Sequence, residues 1–327
     1  ILGAVSDKSS DVKNTILQNN GIETRYYAID PVTRKATHNN AQLAAEAVRG
    51  LKPYPDFSVD DIECLSCGTS LADVMLPGHG SMVQGELGGK PGEVVSTAGV
   101  CVSGITSLKY AWMNVASGQS RNAVATGSEC GSGGQKAEWY QHKKTYKSED
   151  PNLITRPFLA FKAEFLRWML SDGAGAVFFS DQKNDGRPSL QVDWIDIFSF
   201  ANEKPLCMYA GCTKEKDGRV VGYRECASLE EAFVRDFFTL QQDVNLLMEN
   251  AEEVAMRAFE MSPNANKTPP EEITWYLPHY SSEFFREWTY QGLKKAGYEI
   301  PYEKWFTNLK TKGNTGSASF YIMLEEL

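Results

Sequence analysis

Three widely separated residues have the types and the local settings to move an acyl group. Cys101 follows the small-residue turn Ser96-Thr97-Ala98-Gly99-Val100 and precedes Val102-Ser103-Gly104 and a helical pattern. A thiol at a helix start lies beside unsatisfied N–H groups and the positive end of the helix dipole, which favour thiolate. Thiolate is the form that attacks an acyl thioester. The same local sequence equally suits a buried cysteine packing as a small hydrophobe, and in isolation that plainer reading leads. His279, one of four histidines, stands in Leu277-Pro278-His279-Tyr280, where a β-like run turns into a helix. Such a position suits proton transfer or hydrogen bonding, although a histidine there alone reads as a helix cap or a surface residue. Asn314 lies in Lys312-Gly313-Asn314-Thr315-Gly316-Ser317-Ala318, an amide among small residues. That is a donor able to point into a site, or a plain turn.

The elements that must position these residues emerge from the hydrophobic pattern. Residues 40–51 read as a helix with Leu43, Ala44, Val48 and Leu51 at helical spacing, and 62–69 as a buried strand. After Pro77-Gly78 come a helix over 79–87 and a short strand over 93–98. A strong helix over 102–116 carries Ile105, Leu108, Trp112 and Val115 on one face, and a strand follows over 121–127. This alternation predicts a layered α/β fold with a mostly parallel sheet. Residues 130–160 read as an insertion. Order resumes at Phe165 and passes through Ser171-Asp172-Gly173-Ala174-Gly175-Ala176-Val177, a glycine-rich turn feeding a strand. The second half repeats the first. A strand over 273–277 leads through Pro278-His279 to a helix over 282–296, and a strand over 306–309 leads through Gly313-Asn314 to a helix starting near Thr315. The expected division is 1–185, carrying Cys101, and 186–327, carrying His279 and Asn314, with both halves facing one crevice.

Bulk properties narrow the function classes. The chain has 327 residues, 42% hydrophobic, and a net charge of -9, which argues against nucleic acid as a ligand. No run approaches the roughly 18 apolar residues needed to span a bilayer. The first residues lack the basic start and apolar run of a signal peptide. Seven scattered cysteines fit a reducing, cytoplasmic setting. Cys64-Leu65-Ser66-Cys67 has no second pair at zinc spacing and falls in a strand, so it reads as core. The Ser-Asp-Gly-Ala-Gly-Ala stretch lacks the Walker lysine and the dinucleotide spacing. No cofactor or metal is therefore expected. Glu129 reads as structural, His79 as a helix-start residue, and His38 and His142 carry no role.

Taken in order, Cys101 in its small-residue turn, Pro278-His279 and Gly313-Asn314-Thr315 resemble the Cys–His–Asn pattern of ketoacyl-acyl-carrier-protein synthase III, a condensing-enzyme group of the thiolase superfamily. Asn20-Gly21-Ile22, Gly68-Thr69-Ser70, Pro77-Gly78-His79, Gly127-Ser128-Glu129 and Ser171-Asp172-Gly173-Ala174-Gly175-Ala176 match as well, so the resemblance runs from about residue 20 to the end. It implies a thiolase-like layered fold, α-β-α-β-α, of two similar βαβ-rich halves. It also implies acyl transfer to Cys101 from a carrier-protein or coenzyme A thioester. Decarboxylative condensation with a malonyl- or β-ketoacyl-type thioester would follow, held by His279 and Asn314. A homodimer is implied too, with Leu76 as an apolar wall of the partner's acyl tunnel.

Departures from the pattern refine this. Thr15 and Asn19 stand where the family usually grips adenine with Trp and Arg, which favours a donor other than acetyl-CoA. The family's first strand and glycine-rich C-terminal loop are not found, so the chain reads as incomplete at both ends. Tyr26-Tyr27 and Leu166-Arg167-Trp168-Met169-Leu170 look like the specialised branch that includes dialkylresorcinol-type ketosynthases. Met75-Leu76 stands near where olefin-synthase relatives borrow a partner's Glu. The alternative activity is a non-elongating acyltransferase that passes the acyl group to an alcohol or amine.

Overall fold

The segment Cys64–Thr69 contains no charged residue, and as strand β1 it is buried along its whole length. In the computed structural model, which describes residues 1–3, 9–140, 165–184, 186, 188–215 and 217–327, β1 is the inner strand of a four-stranded sheet. It pairs in parallel with β2 (Glu93–Thr97) and with β3 (Asn122–Glu129). The last strand, β4 (Gly173–Ser180), adds antiparallel to β3, giving the order β2-β1-β3-β4. Strand alternation sends Leu65 and Cys67 to one face and Cys64 to the other.

Helices cover both faces. Helix α1 (Ser9–Asn19) precedes α2 (Asn40–Arg49), which starts on a capping box made by Asn39 and Gln42. With α3 (His79–Leu87), α2 packs Ala41, Ala44, Val48 and Val83 on Leu65, Cys67 and Val124. Across the sheet lies α4 (Ser103–Ala116), where Leu108 and Ala111 meet Cys64, Ala123 and Ala125. Five elements thus fall within a few residues of their expected bounds, and β3 runs two residues further, to Glu129.

The second half differs from expectation. The strands expected over 273–277 and 306–309 reduce to one parallel bridge, Tyr276 with Trp305. Two hydrogen bonds make it, Tyr276 N–H to Lys304 O at 2.8 Å and Phe306 N–H to Tyr276 O at 2.9 Å. Pro278 has no N–H to extend the ladder, and Leu309 is drawn into the short helix Leu309–Lys312. The described remainder is built on α5 (Val244–Met261), α6 (Arg286–Lys295) and α7 (Ser319–Glu326), with ribbons of two or three residues. A second core gathers Ile22, Met169, Tyr280, Phe285, Leu293, Trp305 and Leu309. Of the expected insertion, Ser132–Gln135 and Ala137–Tyr140 form single 3-10 turns; residues 141–164 lie outside the described residues. Among the described residues no helix is long and apolar enough to cross a membrane.

Three glycines let the later turns settle onto the sheet. Gly68, Gly127 and Gly175 face one another across β1, β3 and β4, so the row presents no side chains. An added Cβ would lie 2.3 Å from Ser103 O at Gly68, 2.2 Å from Ser317 O at Gly127, and 2.4 Å from Tyr321 Cβ at Gly175. The start of α4 and the turn before α7 therefore rest directly on the sheet backbone.

Candidate active site

Between β2 and α4 the chain makes a tight 3-10 turn, Val100–Val102, that carries Cys101. Gly99 has φ 148 and Val100 φ 58. A β-branched residue in the left-handed region costs about 1–3 kcal/mol and persists only where its surroundings hold it. Here the Val100 carbonyl accepts from Ser317 Oγ at 3.2 Å and from the Ser103 hydroxyl. Cys101 itself is half-buried. Its thiol is pushed up to about 12, first by burial and then by the negative charge of Glu129, with a backbone N–H opposing in third place. The expected resting thiolate is thus corrected: desolvation outweighs the helix-start donors, and at neutral pH Cys101 is a thiol.

Asn314 follows Gly313, which has φ 75. Its backbone N–H donates to Met169 O at 3.0 Å, and its carbonyl accepts from Ser171 N–H at 2.8 Å. The side-chain Oδ1 accepts from Gly316 N–H at 2.9 Å. That fixes the amide plane and leaves Nδ2, buried, with no hydrogen-bond partner among the described residues. An unpaired buried donor costs about 1–3 kcal/mol, so this one is a donor awaiting an acceptor.

His279 lies three residues beyond the Tyr276 bridge, between buried Pro278 and Tyr280. Its ring is open to solvent and bonds no described residue, yet the protein packed around it pushes its pKa down to about 4. The imidazole is therefore neutral at neutral pH. Neutral imidazole can donate or accept a hydrogen bond without bringing charge.

Two of the three expected residues are brought together through their turns. Ser317, three residues past Asn314, bonds the carbonyl of Val100, next to Cys101. Its own carbonyl packs on Gly104 of α4, where a Cβ would come within 2.0 Å. Tyr280, next to His279, packs in the same cluster as Met169, whose carbonyl accepts from Asn314 N–H. No described hydrogen bond ties the His279 ring to Cys101 or Asn314.

Leu76 is 82% exposed beside Met75 at 73%, on the loop before α3. Thr15 and Asn19 pair with each other, the Asn19 side-chain amide donating to Thr15 O at 2.7 Å. His79 is buried at the start of α3 with Nε2 3.0 Å from Ser128 Oγ. Cys64 and Cys67 are buried free thiols of β1, and among the described residues no three His, Cys, Asp or Glu side chains group to hold a metal. A cleft of 1170 Å³ between Tyr54, Trp112, Phe178, Trp194 and Phe320 contains none of the three candidate residues. Sequence reasoning missed Glu129, Ser70 and Ser317 as parts of this site. The available signal was an acid at the end of a buried strand, Gly127-Ser128-Glu129.

No protein-family model matches the chain. The "Beta-ketoacyl-[acyl-carrier-protein] synthase III" of Ruegeria sp. (strain TM1040) is 25% identical over 311 residues, 94% of this chain and 79% of that protein. The protein of the same name from Cereibacter sphaeroides is 34% identical over 109 residues, 33% of this chain and 32% of its own length. Among solved structures, 3-oxoacyl-(acyl carrier protein) synthase III from Pseudomonas aeruginosa PAO1 superposes with a TM-score of 0.65 at 14% identity, covering 99% of this chain and 84% of that one. Cerulenin-bound OleA of Xanthomonas campestris gives 0.61 at 18%, covering 98% and 83%. AbyA1, described as a tetronic acid condensing enzyme, gives 0.61 at 15%, covering 98% and 81%.

Proposed function

We propose that this chain, thiolase-like in fold and similar in sequence to ketoacyl synthase III, is a condensing enzyme that loads an acyl group on Cys101 and extends it by decarboxylative Claisen condensation. The observation that carries the reading is the buried, unpartnered Nδ2 of Asn314, on a turn bonded to the turn of Cys101. In the first half-reaction Cys101 sulfur bonds the acyl carbonyl carbon and the donor's C–S bond breaks. The thiol proton leaves with the donor's sulfur. In the second, a malonyl-type thioester places its carbonyl oxygen against Asn314 Nδ2 and neutral His279. Carbon dioxide departs, and the electron pair of the broken C–C bond becomes an enolate whose oxygen those donors stabilise. The enolate carbon then bonds the acyl carbon, the acyl C–S bond breaks, and the Cys101 sulfur takes up a proton from solvent. Donors fixed in advance at the place where charge develops are the main source of such rate enhancement.

The absence of an aromatic and a cation at Thr15 and Asn19 supports a donor other than acetyl-CoA, on a carrier protein or on coenzyme A. The Tyr26-Tyr27 and Leu166–Leu170 stretches support the specialised branch typified by dialkylresorcinol ketosynthases. Seven free thiols suit a reducing cytoplasm. The protein works as a homodimer, with Leu76 facing the partner's acyl tunnel. Intact-mass measurement of wild type and Cys101→Ala across a panel of acyl thioesters tests loading, and carbon dioxide release from a malonyl thioester tests condensation. An adduct on wild type alone, followed by carbon dioxide, is expected. No adduct with any donor sinks the reading; an adduct handed to an alcohol or amine without carbon dioxide replaces it with the non-elongating transferase.

A further inference from the structure

Four hydrogen-bond donors converge on a single oxygen of Glu129, the last residue of β3. Ser70 donates its N–H at 3.0 Å and its hydroxyl at 2.5 Å to Oε1. Ser317 donates its N–H at 3.1 Å and its hydroxyl at 2.6 Å to the same atom. No described residue bonds Oε2. Gly316 is moulded to the carboxylate as well: it has φ 52, and a Cβ there would lie 2.8 Å from Glu129 Cγ. Ser317 Oγ also lies 3.2 Å from Val100 O, so one hydroxyl stands between the carboxylate and the residue preceding Cys101.

Burial raises the pKa of Glu129, and the serine donors only oppose that shift. A carboxyl held above its unfolded value costs stability at neutral pH, and the cost is relieved as pH falls through its folded pKa. A fold needing only to join these turns gains nothing from an ionised group there. We propose that Glu129 is a positioning residue: its Oε1 holds the Asn314 turn, through Ser317 and Gly316, in register with the Cys101 turn, through Val100. This rests on the condensing reading above.

Glutamine keeps the Oε1 acceptor and removes the charge, whereas alanine removes the acceptor and leaves four donors unanswered. The experiment compares wild type, Glu129→Gln, Glu129→Ala and Ser317→Ala in three measurements. These are acyl-adduct formation by intact mass, carbon dioxide release from a malonyl thioester by the acylated enzyme, and the rate of Cys101 alkylation by iodoacetamide against pH. In E129A and S317A the adduct still forms, while carbon dioxide release drops, by about tenfold or more in E129A, as displaced donors lose alignment. E129Q recovers most of that rate and alkylates faster than wild type at a given pH, because a negative charge beside the thiol is gone. Carbon dioxide release at the wild-type rate in E129A or S317A overturns the proposal, as does an E129Q enzyme no better than E129A. Should E129A not fold, S317A and E129Q decide alone. If wild type itself neither loads nor releases carbon dioxide, the condensing reading has failed instead. The alkylation profiles then still judge Glu129, and identical profiles in wild type and E129Q remove it from the site.

Discussion

At the scale of single residues, the resting state of Cys101 is the sharpest point. A thiol pushed up to about 12 is almost wholly protonated at neutral pH, so its thiolate fraction grows about tenfold per pH unit until that value is approached. Alkylation by iodoacetamide should therefore climb from about pH 7 to about pH 10 without a plateau; a plateau below about pH 8 would show a thiolate stabilised at rest. Asn314 makes a second prediction. In the proposed condensation, Asn314→Ala removes one donor to the enolate oxygen, and one such donor is worth about 2.7–4 kcal/mol. Carbon dioxide release should fall about 10²–10³-fold with adduct formation intact, and loss of the adduct instead would place Asn314 in loading. His279 adds a pH limb to stability. Its folded pKa, about 4, lies below the unfolded 6.5, so acidification charges the unfolded chain first. Stability is lost as pH falls from about 6.5 towards 4, and a thermal-melting series on wild type and His279→Gln should show that part of the loss missing from the variant. Cys101, His279 and Asn314 could be singled out because their order resembles the Cys–His–Asn pattern of ketoacyl synthase III, whereas each local run alone reads as structural. Glu129 could not be, because its partners Ser70 and Ser317 lie 59 and 188 residues away, and only the folded chain pairs them.

At the scale of elements, glycine decides how closely the turns approach. Gly104 in α4 faces the Ser317 carbonyl, where a Cβ would stand 2.0 Å away, whereas Gly85 in α3 has nothing within 4 Å of that position. The same substitution should thus have opposite signs. Gly104→Ala forces the backbone of the Asn314 turn to move and should destabilise by about 1–3 kcal/mol. Gly85→Ala gains helix propensity at no steric expense and should stabilise by about 0.5–1 kcal/mol. Denaturant melts of both check this, and equal effects would mean the close approach has been misread. The first-half elements were legible for related reasons. Short apolar runs ended by Gly and Pro mark β1 and β2, and helical spacing marks α2 and α4. The glycine row was not legible, because facing Gly68 with Gly127 and Gly175 depends on strand register. In the second half the apolar runs at 273–277 and 306–309 looked like strands. They form one bridge instead, because pairing needs a neighbour with free N–H groups, and Pro278 and the helix at Leu309 withdraw them.

At the scale of the whole molecule, two features belong together: a seam between candidate site turns and an apolar loop that no described residue covers. The seam joins the turn after β1, the end of β3, the Cys101 turn and the turn before α7 through Glu129 and Ser317, so the site exists only when distant parts of the chain have docked. The loop before α3 exposes Leu71 at 50%, Val74 at 40%, Met75 at 73% and Leu76 at 82%. Four apolar side chains within six residues form the kind of contiguous patch that marks an interaction surface rather than a scatter of single exposed residues. The loop is braced from within, since Met75 Sδ accepts from the Tyr223 hydroxyl at 3.1 Å, and a braced apolar loop is prepared for docking. In a homodimer this loop is covered by the second copy, and its first residues come directly after Ser70, which bonds Glu129. Covering the loop therefore bears on the site as well as on the assembly. Leu76→Asp places a charge where the interface needs apolar contact, at a desolvation penalty of several kcal/mol. Sedimentation should give the mass of two chains for wild type and one chain for the variant, with less carbon dioxide released by the variant. A wild type that sediments as a single chain at micromolar concentration would refute the homodimer. A variant that stays dimeric would move the interface away from this loop.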